Sequence, residues 1–250
     1  MGVRTGILLV GAKRTSHGRT GAVDGFALID DQEVPVIAKQ LSNEKILAEV
    51  FCAKLGNFLG LVCPEPLLLK GQQDNQIYFG SLKYPNENMS QYLNISFIDS
   101  TWRKKFAILL NEWSSFHKAI SFDEWISNRD RNTQNILWAE KNDFVLIDHE
   151  NTLNLALDLD DQNQLVSAWI WHSENTDSEK EKLRKKVAKY SRGLTVSQND
   201  TLNQLQKELS CFDANEILNN FIDFTSRRLS NLTRLVNDRF PEHLFSRGVQ

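Results

Sequence analysis

The sequence predicts an α+β protein with two unequal lobes: a small, strand-rich N-terminal lobe with one helix, and a larger, mostly helical C-terminal lobe. Short β-branched and apolar runs, separated by polar turns, fill most of residues 1–84. Tyr84–Asn94 contains a proline and several asparagines without any apolar period, which is typical of a boundary between lobes. Apolar residues at three- and four-residue steps then dominate residues 85–250, which predicts helices.

The composition fits a chain with a substantial core and no strong charge bias. The 250 residues are 41% hydrophobic, and the net charge is −3 with 24% charged residues. No basic excess points to nucleic acid or to acidic lipid, so we expect neither as a direct partner. The apolar run Ile7–Val10 is too short for a signal peptide, and no run approaches the ~20 residues of a membrane span. We therefore expect a cytoplasmic protein.

The cysteines predict no disulfide framework. Cys52, Cys63 and Cys211 are odd in number and widely spaced, and no C-x-x-C pair occurs. Buried free thiols in a reducing cytosol are the expected state. Neither His117 nor His149 has a cysteine or second histidine at ligand spacing, so no zinc site is predicted.

The first strands form a predicted hairpin. Ile7–Val10 is a short apolar strand, and Ala22–Ile29 is a second one, interrupted by polar residues. The polar turn Asp30–Glu33 then leads into Val34–Lys39, which is rich in β-branched residues. Pro35 indicates that this last strand is an edge strand or only begins there.

One helix and two further strands complete the predicted N-terminal lobe. Ser42 or Asn43 is the expected N-cap, and Gly60 is the expected end of the helix. Leu67–Leu69 and Ile77–Ser81 read as strands on either side of a polar turn. The apolar face of the helix is formed by Ile46, Leu47, Val50, Phe51, Leu55, Phe58 and Leu59.

The C-terminal lobe is predicted to be helical around one strand pair. Ile136–Trp138 and Phe144–Ile147 form a hairpin across the polar turn Ala139–Asp143. The Lys/Glu run at 179–189 is interpreted as a solvated helix face. The predicted helices are Trp102–Ala119, Phe122–Ser127, Leu165–Trp171, Glu179–Tyr190, Thr201–Leu209 and Ala214–Val236.

Three polar residues in a fixed order suggest phosphoryl transfer. Asp130 and Asn135 are separated by four residues, and Asp148 ends an apolar run further on. Such chemistry needs one carboxylate to orient the attacking hydroxyl, plus an amide and a second carboxylate to hold magnesium on ATP. An asparagine-rich solvent loop and a strand-ending acid would explain the residues singly. Their coincidence in the right order favours the catalytic interpretation.

Lys39 and Glu49 add a predicted phosphate-binding pair. A lysine at the end of an apolar strand is often a surface residue. Glu49, however, lies within the apolar stripe of the predicted helix, where an unpaired charge is costly. A Lys39–Glu49 ion pair would satisfy both groups and aim the ammonium at ATP phosphates. Glu44 is the rival partner, although its place in the first helical turn is already favourable for an acid.

The loop between the first two strands is a weaker phosphate-binding candidate. Gly11–Gly21 contains glycines, small hydroxyl residues and basic residues. Backbone N–H groups near Gly18 and Gly21 could approach a phosphate. No Walker A motif is present. A flexible hairpin loop explains the same composition equally well.

The pattern Asn128-x-Asp130-Arg131-x-x-x-Asn135, followed by Leu146-Ile147-Asp148-His149, resembles that of the HipA-like kinases. These belong to the protein-kinase-like folds, a group that includes phosphatidylinositol kinases. Lys39, Glu49, the stretch Leu59–Pro66 and Phe79-Gly80-Ser81 are also similar to that group, so the resemblance covers residues 5–155.

The resemblance implies a bilobal protein-kinase-like fold that uses ATP and Mg²⁺. Residues 79–84, including Phe79 and Ser81, would line the adenine pocket. The other implied roles are catalytic base for Asp130, magnesium ligands for Asn135 and Asp148, and phosphate binding for Lys39 supported by Glu49. Two departures stand out: Asn132 occupies a position where these kinases often have histidine, and the chain is short for a full-length HipA toxin.

The resemblance also implies a biological role. HipA-like proteins are often bacterial toxins or regulators that phosphorylate serine or threonine on a protein such as a translation factor. Many are restrained by an antitoxin partner or by autophosphorylation in the Gly-bearing loop, for which Thr15, Ser16 and Thr20 are the candidates here. His149 is expected to contact the substrate or Asp130. Alternatives are a small-molecule or lipid kinase, and an ATP-binding pseudokinase that acts as a regulatory module.

Overall fold

A computed structural model describes residues 2–15, 21–95, 101–139, 143–153, 165–166, 169, 176–197, 199–210 and 214–240. The fold is mixed, with strands concentrated before residue 83 and helices after it. The strands are β1 (Arg4–Leu8), β2 (Lys13–Arg14), β3 (Val23–Ile29), β4 (Gln32–Lys39), β5 (Pro66–Gly71), β6 (Ile77–Leu82), β7 (Ile136–Trp138) and β8 (Phe144–Leu146). The helices are α1 (Asn43–Phe58), α2 (Met89–Tyr92), α3 (Thr101–Glu112), α4 (Phe116–Trp125), α5 (Asp177–Ser197), α6 (Asn199–Leu209) and α7 (Asn215–Asp238).

Five of the N-terminal strands close on themselves. The order is β1-β5-β6-β4-β3, and β3 also pairs with β1 through Ile7 and Leu28, while β2 extends β3 on the outside. Only the β1–β5 pair is parallel. Closure removes the free edges that an open sheet of these strands would expose. The buried interior is small and apolar, formed by Leu8, Ala27, Ile29, Val36, Ala38, Leu67 and Leu69.

Pro35 does not mark β4 as an edge strand. β4 pairs with β3 along its whole length, from Gln32 to Ala38, and with β6 from Val36 onward. The Pro35 carbonyl accepts a hydrogen bond from Lys83 N at 3.0 Å, on the β6 side. In a strand the nitrogen and carbonyl of one residue point to the same side, so the missing N–H falls where the pairing with β6 is only beginning.

Helix α1 has the predicted boundaries. The Ser42 side chain accepts from Lys45 N at 3.4 Å, and Gly60 adopts a φ of +71° just beyond the end of the helix. Glycine tolerates that left-handed conformation without steric cost. The helix packs against β5 and β6 on one side and against α6 and α7 on the other. It is therefore buried on more faces than the apolar stripe of the sequence indicated.

The predicted helix Trp102–Ala119 is broken. α3 ends at Glu112, and α4 begins at Phe116 and continues to Trp125. Trp113 lies in the break and packs edge-on against Phe144, with ring centroids 4.9 Å apart. The apolar period continues through the break, so the periodicity alone could not reveal it. Tertiary packing overrides the local pattern here.

The predicted linker contains a short helix. Asn88 and Gln91 form a reciprocal capping box around α2, and Met89 is fully buried. Tyr92 stacks on Trp138 at 4.4 Å, which joins this segment to the β7–β8 hairpin. The hairpin itself forms as predicted, with Ile136 paired to Leu146.

The last helices lie where the sequence predicts them but are longer than predicted. The charged side chains of 179–189 are exposed or half-buried, as expected for a solvated face, whereas Val187 and Ala188 are buried. Of the predicted helix Leu165–Trp171, only Leu165, Val166 and Trp169 are described; they are helical and buried. Among the described residues, no helix combines the length and the apolar character needed to cross a bilayer. Cys52 and Cys63 are buried free thiols, whereas Cys211 lies outside the described residues.

Candidate active site

Lys39 is surrounded by three carboxylates. It ends β4, and its Nζ donates to Glu49 Oε1 at 3.0 Å, Asp148 Oδ1 at 2.8 Å and Glu150 Oε2 at 3.2 Å. Burial alone would lower the pKa of Lys39, but the three negative charges outweigh it and hold the pKa above its usual value. The ammonium is therefore firmly charged and uses all three of its protons.

Glu49, rather than Glu44, is the partner of Lys39 on α1. Its second oxygen, Oε2, accepts from the backbone N–H of His149 at 2.8 Å. Burial would raise the pKa of Glu49, but Lys39 and His149 prevail and lower it to about 2. Glu44 is exposed in the first turn. The buried carboxylate thus ties α1 to both β4 and the segment that follows β8.

The three acids of the cluster surround the Lys39 ammonium. Oxygens of Glu49, Asp148 and Glu150 lie within 4.8 Å of one another, a spacing that suits a cation. In this arrangement the Lys39 ammonium contacts all three. Asp148 is the most exposed of these acids, with 24% of its side chain accessible. The Asp148 oxygen that does not contact Lys39 is therefore the cluster's best candidate for binding a metal beside the three acids.

The loop at Asp130 is arranged so that both carboxylate oxygens have donors. Asn132 Nδ2 donates to Oδ1 at 3.0 Å, and Asn151 Nδ2 donates to Oδ2 at 3.3 Å. Asn135 Nδ2 donates to the Asp130 carbonyl at 2.6 Å. That bond engages the amide nitrogen of Asn135 and fixes the orientation of the Asn135 amide oxygen, which can then bind a ligand. Carboxylate and amide oxygens are the donors that Mg²⁺ prefers, so Asn135 and Asp148 fit this ion chemically.

A buried ion pair between Arg131 and Asp123 supports the loop at Asp130. Arg131 donates to Asp123 through Nε and Nη2, at 3.2 and 3.1 Å, and both side chains are fully buried. Arg131 Nη1 donates to the carbonyls of Asn135 and Ile147, at 3.0 and 2.7 Å. Burial would lower the pKa of Arg131, but the charge of Asp123 raises it. One side chain thus joins α4, the Asp130 loop and the residue before Asp148.

The predicted nucleotide-binding residues are only partly brought to the site. Phe79 lies opposite Lys39 in the β4–β6 register and is buried, and Ser81, two residues further along β6, is half-buried. Gly21 is exposed before β3 with a φ of +70°. Gly18 lies outside the described residues. The structure places Phe79 beside the lysine, and the nucleotide-binding roles of these residues stay predictions.

His149 does not face the site. It is buried, its ring packs edge-on against Phe122 at 5.8 Å, and its Nδ1 lies 3.5 Å from Glu49 Oε2. Burial lowers the pKa of His149, which favours the neutral ring. The contacts described for its ring are with Phe122 and Glu49 and not with Asp130, and the expected contact with the substrate stays a prediction.

Sequence reasoning missed three residues of the site. Glu150 contacts Lys39, Asn151 contacts Asp130, and Asp123 anchors Arg131. Glu150 had one available signal, because it is a second acid two positions after Asp148. Asp123 and Glu124 lie together between the apolar residues Phe122 and Trp125 of α4, which is a costly place for an unpaired charge.

Comparisons with known proteins identify the family and a similar fold. A family model described as HipA-like kinase matches residues 13–243. The crystal structure of the Helicobacter pylori proinflammatory kinase CtkA aligns over 95% of this chain and 98% of its own, with a TM-score of 0.60 and 12% identity. At that identity the likeness shows the fold alone. A search of curated proteins found no match. Because the family model spans most of the chain, this protein belongs to the HipA-like kinase family.

Proposed function

We propose that this HipA-like kinase transfers the γ-phosphate of ATP, with Mg²⁺, to a serine or threonine hydroxyl of a protein. The observation that supports this proposal is the contact between Lys39 Nζ and Asp148 Oδ1 at 2.8 Å, together with the hydrogen bond that Asn151 donates to Asp130. This arrangement unites a phosphate-binding cation, a candidate metal-binding acid and a candidate base. We further propose that the ATP site lies between an N-terminal lobe of residues 1–84 and a C-terminal lobe of 85–250.

In this proposal each side chain has one task. Asp130 accepts the proton of the acceptor hydroxyl, and its two amide donors keep the carboxylate in a single orientation. Lys39 binds the α- and β-phosphates of ATP, while Glu49 fixes the ammonium. Asn135 and Asp148 would hold Mg²⁺ through oxygens. The metal, when bound, would neutralise charge on the phosphate oxygens.

Nucleotide binding requires one carboxylate to release Lys39. Glu49 is tied to the His149 backbone, and Glu150 is almost completely buried. Asp148 is the most accessible of the three and is the proposed metal ligand. We therefore infer that Asp148 turns from the ammonium toward the metal when ATP arrives. Phe79, buried opposite Lys39, would line the adenine pocket with Ser81.

The cellular role is proposed from the family resemblance. A bacterial toxin or regulator that phosphorylates a translation factor in the cytoplasm, restrained by an antitoxin, fits that resemblance. Phosphorylation of Thr15 would add about −1.5 to −2 charge near the proposed phosphate site and would oppose ATP binding. Ser16 and Thr20, the other candidates, lie outside the described residues.

Radiolabelled phosphate transfer tests the proposal. The wild-type protein is incubated with Mg²⁺ and γ-labelled ATP, alone and with lysate, beside Asp130→Ala and Asp148→Ala. We expect label on protein serine or threonine with the wild type only. Label in a lipid or small-molecule fraction would favour the alternative acceptors. Binding of a fluorescent ATP analogue without any transfer would identify a pseudokinase, and mass spectrometry of peptide 11–21 would test autophosphorylation.

A further inference from the structure

Glu150 has no task in the proposed reaction, yet it lies at the centre of the site. Its side chain is only 1% exposed, and its Oε2 accepts from Lys39 Nζ at 3.2 Å. Burying a carboxylate costs several kcal/mol unless charged partners and hydrogen bonds compensate. The position lies four residues after the end of the buried strand β8, next to the buried residue His149. The buried charge of Glu150 must therefore be compensated by the groups around it.

Glu150 also has a partner on α1. Its other oxygen, Oε1, lies 3.7 Å from Lys45 Nζ. Lys45 is partly exposed and also donates to Asn151 Oδ1 at 3.4 Å. Lys45 lies one turn before Glu49, on the helix that carries the first partner of Lys39. Glu150 thus connects β4 to the start of α1 through two lysines.

The charges of the cluster identify what Glu150 can do. Two ammonium groups, of Lys39 and Lys45, face three carboxylates, of Glu49, Asp148 and Glu150. If Asp148 turns to a metal, one N–H of the Lys39 ammonium is released and can donate to a phosphate. The ammonium would then be held by Glu49 alone were Glu150 absent. With Glu150 present, the ammonium keeps two fixed carboxylates and a single free direction.

We propose that Glu150 is a positioning residue, which anchors the Lys39 ammonium when Asp148 engages the metal and is itself held by Lys45. The inference rests on the proposed phosphotransferase function. It assigns Glu150 no contact with substrate. Its effect passes through Lys39, so its loss should impair the chemical step more than nucleotide binding.

The experiment compares Glu150→Gln, Lys45→Gln and their double variant with the wild type. Glutamine keeps the size and a hydrogen-bond oxygen but removes the charge. Lys54→Gln is the control, because Lys54 is also on α1 and forms an ion pair with Glu208 at 2.8 Å, away from Asp148. Measurements are kcat and KM for ATP, binding of a fluorescent ATP analogue in EDTA, and thermal unfolding of the ligand-free proteins.

We expect Glu150→Gln to lower kcat by ~10-fold or more, since misplacing a positioning group by ~1 Å can cost ~100-fold. Metal-free nucleotide affinity should change by less than about threefold. Lys45→Gln should lower kcat less, and the double variant should be no worse than Glu150→Gln, because both changes break one link. Without nucleotide, the Tm losses of the two single variants should likewise be non-additive. Lys54→Gln should lower the Tm but leave kcat unchanged.

The outcomes separate the two proposals. Absence of transfer by the wild type overturns the proposed function, and with it this inference. With transfer in the wild type, a kcat within twofold of normal for Glu150→Gln overturns the inference alone. Multiplicative kcat effects and additive Tm losses in the double variant would also overturn the Lys45 link. A kcat loss in Lys54→Gln equal to that of Glu150→Gln would show a general structural effect and count against positioning.

Discussion

Lys39 Nζ and Asp148 Oδ1 lie 2.8 Å apart although the two residues are 109 positions apart in the chain. Two features bring them together. Lys39 is the last residue of β4 in the five-stranded ring, and Leu146 N donates to Val62 O at 2.9 Å, which fastens β8 beside the N-terminal part. The ion pair is thus one of the polar contacts that join the strand-rich part to the helical part.

Asp130→Asn should reduce phosphate transfer by about 10²–10⁴-fold, because an amide cannot accept the hydroxyl proton. Nucleotide affinity should remain within about twofold, since the substitution leaves the backbone contact of Asp130 with Asn135 in place and its carboxylate is bonded to Asn132 and Asn151, neither of which is a proposed ATP-binding residue. Steady-state kinetics and titration with a fluorescent ATP analogue measure the two effects. Asp24→Asn, which removes a surface acid paired with Lys83, is the control. Retention of full activity in Asp130→Asn would show that another group is the base.

Asp148→Asn should raise the Mg²⁺ concentration for half-maximal activity by ~10-fold or more, because it removes the charge that attracts the metal. Binding of the ATP analogue in EDTA should not weaken, since the variant also frees Lys39 from one carboxylate. A magnesium titration of initial rates measures the shift. An unchanged magnesium dependence would exclude Asp148 as a metal ligand.

Asn132→Ala should lower kcat by about 10-fold, because Asp130 Oδ1 loses its closer amide donor. The Asn132 carboxamide also accepts from Gln134 N at 2.8 Å, so the loop loses a local restraint. Gln134→Ala, which keeps that backbone N–H, is the matched control. Asn132→His, which introduces the residue common in similar kinases, tests whether an imidazole can replace the amide. Normal kcat in Asn132→Ala would assign the orientation of Asp130 to Asn151 instead.

Arg131→Met should destabilise the protein by about 3–5 kcal/mol, because it leaves the buried carboxylate of Asp123 without its charged partner. Arg4→Met is the matched control, since it removes an exposed pair with Glu65 and should cost only about 0–1 kcal/mol. Urea unfolding followed by tryptophan fluorescence measures both. Equal losses for the two variants would contradict the burial argument.

Stability should fall in acid partly through Glu208. The hydrogen bond from Lys54 lowers the pKa of Glu208 from 4.5 to about 2. A carboxylate with a depressed folded-state pKa contributes stability that is fully present above pH 4.5 and is lost as the pH falls toward 2. Glu208→Gln should therefore flatten the decline of the unfolding free energy in that window. Parallel curves for the variant and the wild type would contradict the linkage.

Local patterns predicted much of the fold. The strand at Lys39, the α1 helix with its Ser42 cap and Gly60 end, and the β7–β8 hairpin all follow from residue periodicity and turn chemistry. Trp113 shows where that reasoning ends, because its contact with Phe144 accompanies a break in an otherwise continuous apolar pattern. The apolar period runs on through Phe116, so periodicity by itself does not locate this break.

The sequence by itself predicted five groups of the candidate site and their order along the chain: Lys39, Glu49, Asp130, Asn135 and Asp148. Burial cost alone also favoured Glu49 over Glu44 as the partner of Lys39. Only the tertiary structure decided that Glu150 is the third carboxylate around Lys39 Nζ, that Asn151 donates to the Asp130 carboxylate, and that His149 is buried under Glu49. These contacts join residues 21 to 111 positions apart, and a contact across such distances depends on how elements pack, which local periodicity does not specify.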